Sequence, residues 1–381
     1  MDRVFLRKEN MELSFWEHNS WFTNIDYTVV GSGIVGLTCA LRLRERFPNS
    51  KICILEKGVL PQGASTKNAG FACFGSLSEI LEDLKSHSED EVVSLVKKRI
   101  NGLSKLRKLI GDHTLDYRQY GGYELFQEED VKLYESCLKE MNSINKLLFP
   151  IFNKNVYSIV EDPFCFDNVQ PKLIFNELEG QIDTGKMMKA LLLKAYKNDI
   201  YILNNCTVLD YSEEQNQVII DTAHFSFVSK KMLIATNGFA KDLHISDVKP
   251  ARAQVLITEP LKDLRIKGTF HLDQGYYYFR NINNRILLGG GRNLDFKTEE
   301  TTQIGQTRLV QNELERLLRE VILPGKEIKI AYRWSGIMGV GTQKKPVLER
   351  LSENVYCGVR LGGMGVAIGS TVGEELANLV D

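Results

Sequence analysis

The chain has 381 residues, 25% of them charged and 43% hydrophobic, and a formal net charge of −1. That is an ordinary folded composition with room for two domains, and near-neutrality without a long basic run argues against nucleic acid or an anionic membrane as partner. No apolar run approaches the roughly 20 residues that span a bilayer, the N-terminal stretch lacks an apolar signal core, and seven scattered cysteines without C-x-x-C predict reduced thiols in a cytoplasmic protein.

In chain order, residues 1–24 form an N-terminal extension with Trp16, Trp21 and Phe22, expected to pack on the core, or else to form a partner surface. YTVVGSGIVGLTCA (27–40) follows. Tyr27 to Val30 is a β-rich run. Ile34 to Phe47 spaces Leu37, Ala40, Leu41 and Leu43 as a helix does, and Pro48 ends it. Lys51 to Leu55 reads as a second buried strand, closed by Glu56. Strand, glycine turn, helix, strand and acid together describe a dinucleotide site. Gly31 permits the tight turn, Gly33 lets a pyrophosphate approach the backbone, and Gly36 lets the helix pack on the strand. With Ser32, Ile34 and Val35, this turn offers a helix N-terminus to phosphates. Glu56, 20 residues after Gly36, is placed to accept hydrogen bonds from a ribose diol. The motif alone does not separate FAD from NAD.

The stretch GVLPQGASTKNAGFACFGS (58–76) favours FAD. A nicotinamide domain would normally enter another helix here, whereas this chain runs through a small polar loop. Ser65, Thr66 and Asn68 offer donors to phosphate or ribityl oxygens. Gly70 lets the backbone lie close to a ring, and Lys57 and Lys67 bring positive charge. Ala64, Ala69 and Phe71 complete the loop. Cys73 is either close to the ring or simply a buried thiol.

Residues 77–110 show helical spacing with a solvated charged face. DYRQYGGYELFQEED (116–130) reads as strand, turn, strand around Gly121-Gly122, and 130–149 returns to helix. Asp183 is a candidate N-cap for a helix over 186–197. Strands are predicted over 201–211, 217–236 and between Pro250 and Ile286, and a helix over 307–321 that Pro324-Gly325 ends. Six histidines without a ligand spacing indicate no metal site. No obvious acid–base pair is visible.

The segment Gly63 to Gly70 resembles the G-A-S-x-R-N-A/G-G stretch of the D-amino-acid oxidase-like flavoprotein superfamily, which includes glycine oxidase, sarcosine oxidase and D-amino-acid dehydrogenases. Lys67 stands where that family often has Arg. The resemblance runs from about residue 25 to 381, through the second βα unit with Val208, the turn Ala235-Thr236-Asn237-Gly238, a P-x-R-G-Q-V-like strand with Ala253 in place of Gly, the hairpin GYYYFRNINNRILLGGGR, and a C-terminal flavin loop Gly362-Gly363-Met364-Gly365-Val366. It implies an α/β (α+β overall) protein: a Rossmann-like FAD-binding domain with an inserted mixed or antiparallel β-sheet substrate domain. The implied cofactor domain is discontinuous, 25–105, 165–248 and 334–381, and the substrate domain comprises 106–164 and 249–333.

The cofactor implied is non-covalent FAD, because the sarcosine-oxidase-type cysteine would fall near Ile337 to Met338 and is missing. The activity implied is oxidation of an amine or amino acid, with hydride passing from the C–H beside nitrogen to flavin N5 and O2, a quinone or another electron carrier as acceptor. A 2-hydroxy acid substrate, or a flavin-stabilised binding protein with little turnover, are the alternatives. Candidate substrate residues are Tyr278 and Arg360, with Arg280, Arg285, Arg292 and Arg333 as further arginines able to bind a carboxylate in bidentate fashion. Amino-acid oxidases of the family carry an Arg where this chain has Ile337, Met338 and Gly339, so the usual carboxylate clamp is absent or relocated here.

Overall fold

The structure is a computed structural model and describes residues 13–381. It holds two eight-stranded sheets. The first has the order Val347–Arg350, Val355–Val359, Ser226–Ile234, Ile25–Val30, Ile52–Leu55, Tyr201–Leu203, with Val208–Glu214 and Gln217–Thr222 extending it as a meander. Its centre is parallel. These strands read as continuous apolar runs because both faces are covered. Val29, Ile52, Ile54 and Leu233 point into one core, while Val30, Cys53, Leu55 and Ile234 point into the other. Helices Ile34–Arg46, Thr184–Lys197 and Gly365–Asn378 cover the first face.

The second sheet runs Ile330–Val340, Lys249–Thr258, Arg285–Gly290, Tyr277–Ile282, Thr269–Leu272, Gly122–Glu124, Lys172–Asn176, Tyr157–Glu161. It is antiparallel except between Thr269–Leu272 and Gly122–Glu124. The β period of two sorts its residues. Phe270, Leu272, Tyr277 and Phe279 enter a core closed by helix Arg308–Arg316. His271 and Tyr278 take the opposite face. The fold is thus α/β with a mixed second sheet. Lys172–Asn176 pairs in that second sheet although it falls within 165–248, and Ile330–Val340 pairs there across residue 334.

Several local expectations change. The 116–130 segment keeps only the strand Gly122–Glu124, with isolated bridges at Arg118 and Gln127, because its partners are distant strands and not its own other half. Residues 77–110 split into Leu77–Leu84 and Glu89–Ile110, since Ser88 starts a second helix with a capping box to Glu91. Asp183 does cap Thr184–Lys197, accepting from the Lys186 N–H at 2.9 Å. Of the extension 1–24, residues 1–12 lie outside the described part. Phe22 docks on Phe225 at 4.4 Å between ring centroids, but Trp16 and Trp21 do not pack inward: they are 72% and 44% exposed.

Candidate active site

A cavity of about 510 Å³ runs between the two sheets. One end is walled by the glycine turn. Gly31, Ser32, Gly33, Ile34 and Val35 line it, as do Glu56, Lys57 and Val208. Gly36 does not, because it lies beneath: a Cβ there would sit 1.8 Å from the Gly31 carbonyl oxygen, so only glycine lets helix Ile34–Arg46 leave the strand so closely. Gly31 itself adopts φ +105° against the Ala235 carbonyl. No side chain of Gly33, the N-cap, closes the helix N-terminus. The Ile34 N–H reaches Ser65 Oγ at 3.0 Å, and the dipole end faces the cavity. Buried Glu56 accepts from the Ser32 N–H and hydroxyl at 3.1 and 2.6 Å, and from the Gly58 N–H at 2.9 Å. Lys57 Nζ rests 3.0 Å from the Phe239 ring centroid, and burial holds its pKa below the ordinary lysine value.

The polar loop forms the middle wall. Ala64, Ser65, Lys67, Asn68, Ala69, Gly70 and Phe71 line the cavity, while Thr66 does not and keeps a buried hydroxyl that has no partner among the described residues. Three side chains help to fix the loop. Asn68 bonds back to the Ser65 carbonyl at 2.6 Å and accepts from the Gly70 N–H at 2.8 Å. Trp334 donates to the Lys67 carbonyl at 2.9 Å. Arg280 donates to the Ala69 carbonyl, and to that of Ile182 at 3.0 Å. Burial draws the Arg280 pKa down to about 10. This arginine therefore locks the loop and does not line the cavity.

Ala235, Thr236 and Asn237 line the same wall, and Gly238 lies behind it against Met338. Asn237 Oδ1 accepts from the Leu361 N–H at 3.2 Å, tying this turn to the C-terminal loop. There Gly362, Gly363, Met364, Gly365 and Val366 line the cavity, and helix Gly365–Asn378 begins without a side-chain cap. The Thr236 hydroxyl is buried and unpartnered among the described residues. Two helix N-termini whose N-cap residues make no side-chain bond, an orphan hydroxyl and a lysine supply donors, and an acid at the far end supplies an acceptor, a set suited to a long dinucleotide carrying a ring.

The other end belongs to the second sheet. Tyr278 lines it, and its ring lies over Gly289, where a Cβ would come within 2.7 Å. Burial pushes the phenol up to about 12. Three arginines line the cavity. Arg360, at φ +64°, bonds to the Lys345 carbonyl at 3.0 Å and ion-pairs with Asp247. Arg99 donates to the Phe74 carbonyl at 2.7 Å. Arg292 faces the Tyr276 and Phe296 rings at 5.4 and 5.1 Å and has no oxygen partner among the described residues. Arg285 and Arg333 are engaged elsewhere, by Thr258 and by Gln311 and Glu315.

Sequence reasoning missed one group. His271 lines the cavity beside its register partner Tyr278, and the Phe71 ring meets both, at 5.4 and 5.6 Å. His271 Nε2 is 2.9 Å from Glu179, whose carboxylate is 1% exposed and also accepts from Thr269 Oγ1 at 2.9 Å. Burial alone would lower the imidazole pKa, but the Glu179 charge and hydrogen bond, with Glu79 and Glu124, carry it up to about 9. The absence of an acid–base pair expected from the sequence is thus corrected. Cys73 Sγ lies within 4.8 Å of both groups. Burial pushes its thiol well up, so it stays protonated, and the Glu179 oxygen already holds two hydrogen bonds. The cluster is arranged to hold a proton. No spacing in the sequence joins residues 73, 179 and 271, although the polar His between Phe270 and Leu272 was a weak signal.

A parallel sheet with a glycine turn at the end of a central strand, a second sheet closing over it and a cavity between them define a dinucleotide-dependent two-sheet oxidoreductase. Residues 26–379 match the family model of FAD dependent oxidoreductases, and the chain belongs to that family. It is 24% identical to gamma-glutamylputrescine oxidoreductase of Escherichia coli, over 93% of this chain and 83% of that one. Glycine oxidase from Bacillus cereus superposes with a TM-score of 0.75 at 16% identity, covering 93% of this chain and 97% of that one. L-Proline dehydrogenase from P. horikoshii gives 0.72 at 19% identity, covering 94% and 93%. FAD is the cofactor of this family, and the cavity residues fit it.

Proposed function

We propose that the protein oxidises the C–N bond of an amine or amino acid with FAD bound non-covalently in the cytoplasm. The observation that carries this reading is the cavity between the sheets, in which the glycine turn and the C-terminal loop meet the aromatic face of the second sheet. FAD, when bound, supplies the hydride acceptor for the C–H beside the nitrogen. Gly31 to Val35 and Glu56 would hold its adenosine and pyrophosphate half, with Val208 against adenine. Residues 64, 65, 67–71, 235–237 and 362–366 would hold the flavin half, the start of helix Gly365–Asn378 favouring negative charge there. The sheet containing Ile25–Val30 serves as the cofactor domain. The sheet containing Tyr278 serves as the substrate domain, and Lys172–Asn176 goes with it because it pairs there.

Tyr278 orients the substrate across the ring face. Of the arginines, Arg292 suits a substrate carboxylate better than Arg360, whose guanidinium is already engaged by Asp247 and Lys345. The names of the relatives, an oxidoreductase of gamma-glutamylputrescine and enzymes of glycine and proline, support a substrate with an amine or imine nitrogen. Anaerobic mixing of the purified flavoprotein with panels of amines, amino acids and 2-hydroxy acids tests the reading. Bleaching by nitrogen donors alone is the expected outcome, and bleaching by hydroxy acids alone overturns it. Readmitting O2 or a quinone then identifies the acceptor.

A further inference from the structure

We infer that the His271–Glu179 pair is the base that strips the ammonium proton from an amine substrate before its C–H is oxidised; this rests on the C–N reading above. An amine reaches the site mostly as the ammonium ion, and that form has no lone pair to assist loss of hydride from the adjacent carbon. Something must take one proton.

The geometry assigns the atom. Glu179 is fully buried and its carboxylate can only accept, so the neutral imidazole places its N–H on Nε2, at 2.9 Å. Nδ1 is then left with a lone pair, and no protein group among the described residues bonds to it. His271 forms the wall of the substrate end beside Tyr278. The transfer balances simply: an N–H bond of the ammonium breaks, an Nδ1–H bond forms, and the positive charge moves onto an imidazolium that Glu179 already compensates. No electrons move in this step.

Glu179 is fixed for the task. Thr269 Oγ1 donates to the same oxygen at 2.9 Å, and Asn176 Nδ2 reaches the other at 3.4 Å. Gly122 leaves the room, since a Cβ there would lie 2.2 Å from the carboxylate. The groups facing His271 are Glu179 from the 177–179 turn, Glu79 from helix Leu77–Leu84, Glu124 from the neighbouring strand, and Cys73 from the loop after Phe71. Burial raises the pKa of Glu124 and keeps the Cys73 thiol protonated, so Glu179 is the dominant partner. The resulting imidazole value of about 9 approaches that of an aliphatic ammonium, so the proton passes with little uphill cost.

The experiment combines a direct titration with a rate profile. NMR follows the His271 ring signal in the wild-type holoprotein and in Glu179→Gln, with His271→Gln identifying the signal. In parallel, the rate of flavin bleaching by an amine substrate is measured against pH. The expected result is a wild-type ring titrating near about 9, a bleaching rate that rises with pH through the same midpoint, and both midpoints falling toward about 6.5 in Glu179→Gln. His271→Gln should bleach about a hundredfold more slowly at neutral pH, with the deficit narrowing at high pH where the free amine supplies itself. The substrate's own ionisation is identical in every variant, so a rate midpoint unmoved by Glu179→Gln overturns the inference. So does a ring that titrates at its ordinary value in the wild type. If no nitrogen compound bleaches the flavin, the C–N reading fails by itself and takes the inference with it, whatever the ring titration shows.

Discussion

At Gly36, a single hydrogen atom decides whether the cofactor turn can exist. Its missing Cβ would overlap the Gly31 carbonyl at 1.8 Å, and both atoms belong to backbone that cannot rotate away. Gly36→Ala should therefore cost about 1–3 kcal/mol and weaken FAD retention, checked by urea denaturation of the apoprotein and by FAD titration. His271 gives a different kind of test. Its folded pKa lies above the unfolded value of 6.5, so its pairing with Glu179 stabilises the fold fully below about pH 6.5 and loses that contribution as pH rises through about 9. Comparing wild type with His271→Gln by denaturation, the wild-type advantage should be on the order of 2 kcal/mol near neutrality and vanish in alkali. Glu124 faces the same ring and burial raises its pKa, so an advantage that grows with pH would mean that this acid is the group titrating.

At the scale of elements, the loop 64–70 and helix Gly365–Asn378 carry most of the proposed flavin contacts, and neither is held by its own hydrogen bonds alone. Arg280 clamps the loop from the second sheet through Ala69 and Ile182. Arg280→Met leaves buried carbonyls without donors, which should cost about 1–3 kcal/mol. It should raise the FAD dissociation constant about tenfold and expose the loop to limited proteolysis. The C-terminal helix sits on helix Ile34–Arg46 through Gly369 and Gly373, where a Cβ would come within 2.9 Å of Ile34 Cγ2 and 2.1 Å of Thr38 Oγ1. Ser370 also bonds across to the Gly102 carbonyl. Gly373→Val should push the helix off this seat, displacing the 362–366 turn. The expected signature is reduced thermal stability together with a changed flavin absorption spectrum, whereas a stability loss with an unchanged spectrum would show that the turn is held independently of the helix.

For the whole molecule, the two sheets meet along the cavity, so a ligand filling it bonds both. FAD at a hundred times its dissociation constant should stabilise the fold by about 2.7 kcal/mol, read as a concentration-dependent rise in melting temperature. A rise confined to one of two separate transitions would show that FAD engages only one sheet's unit.

The sequence by itself carried the end of the cavity proposed for the cofactor. Gly31, Gly33, Gly36 and Glu56 lie within one βαβ unit, where local spacing translates directly into geometry, and the loop 63–71 follows at once. Strands and helices were legible wherever period two or 3.6 was uninterrupted. Only the tertiary structure decided the end proposed for the substrate. Cys73, Glu179 and His271 are brought together by the strand pairing of Phe71–Ala72 with Gly180–Gln181 and of Thr269–Leu272 with Gly122–Glu124, contacts that no local pattern encodes. The same holds for the arginines. From the sequence, Arg360 is preferred to Arg280 and Arg292 only because it lies just ahead of the 362–366 loop. Burial and the oxygen atoms around them made Arg280 a loop clamp, engaged Arg360 with Asp247, and left Arg292 beside two rings facing the cavity. A guanidinium's role depends on which acceptors the fold places within 3 Å or so, and that placement is a property of the packed sheets.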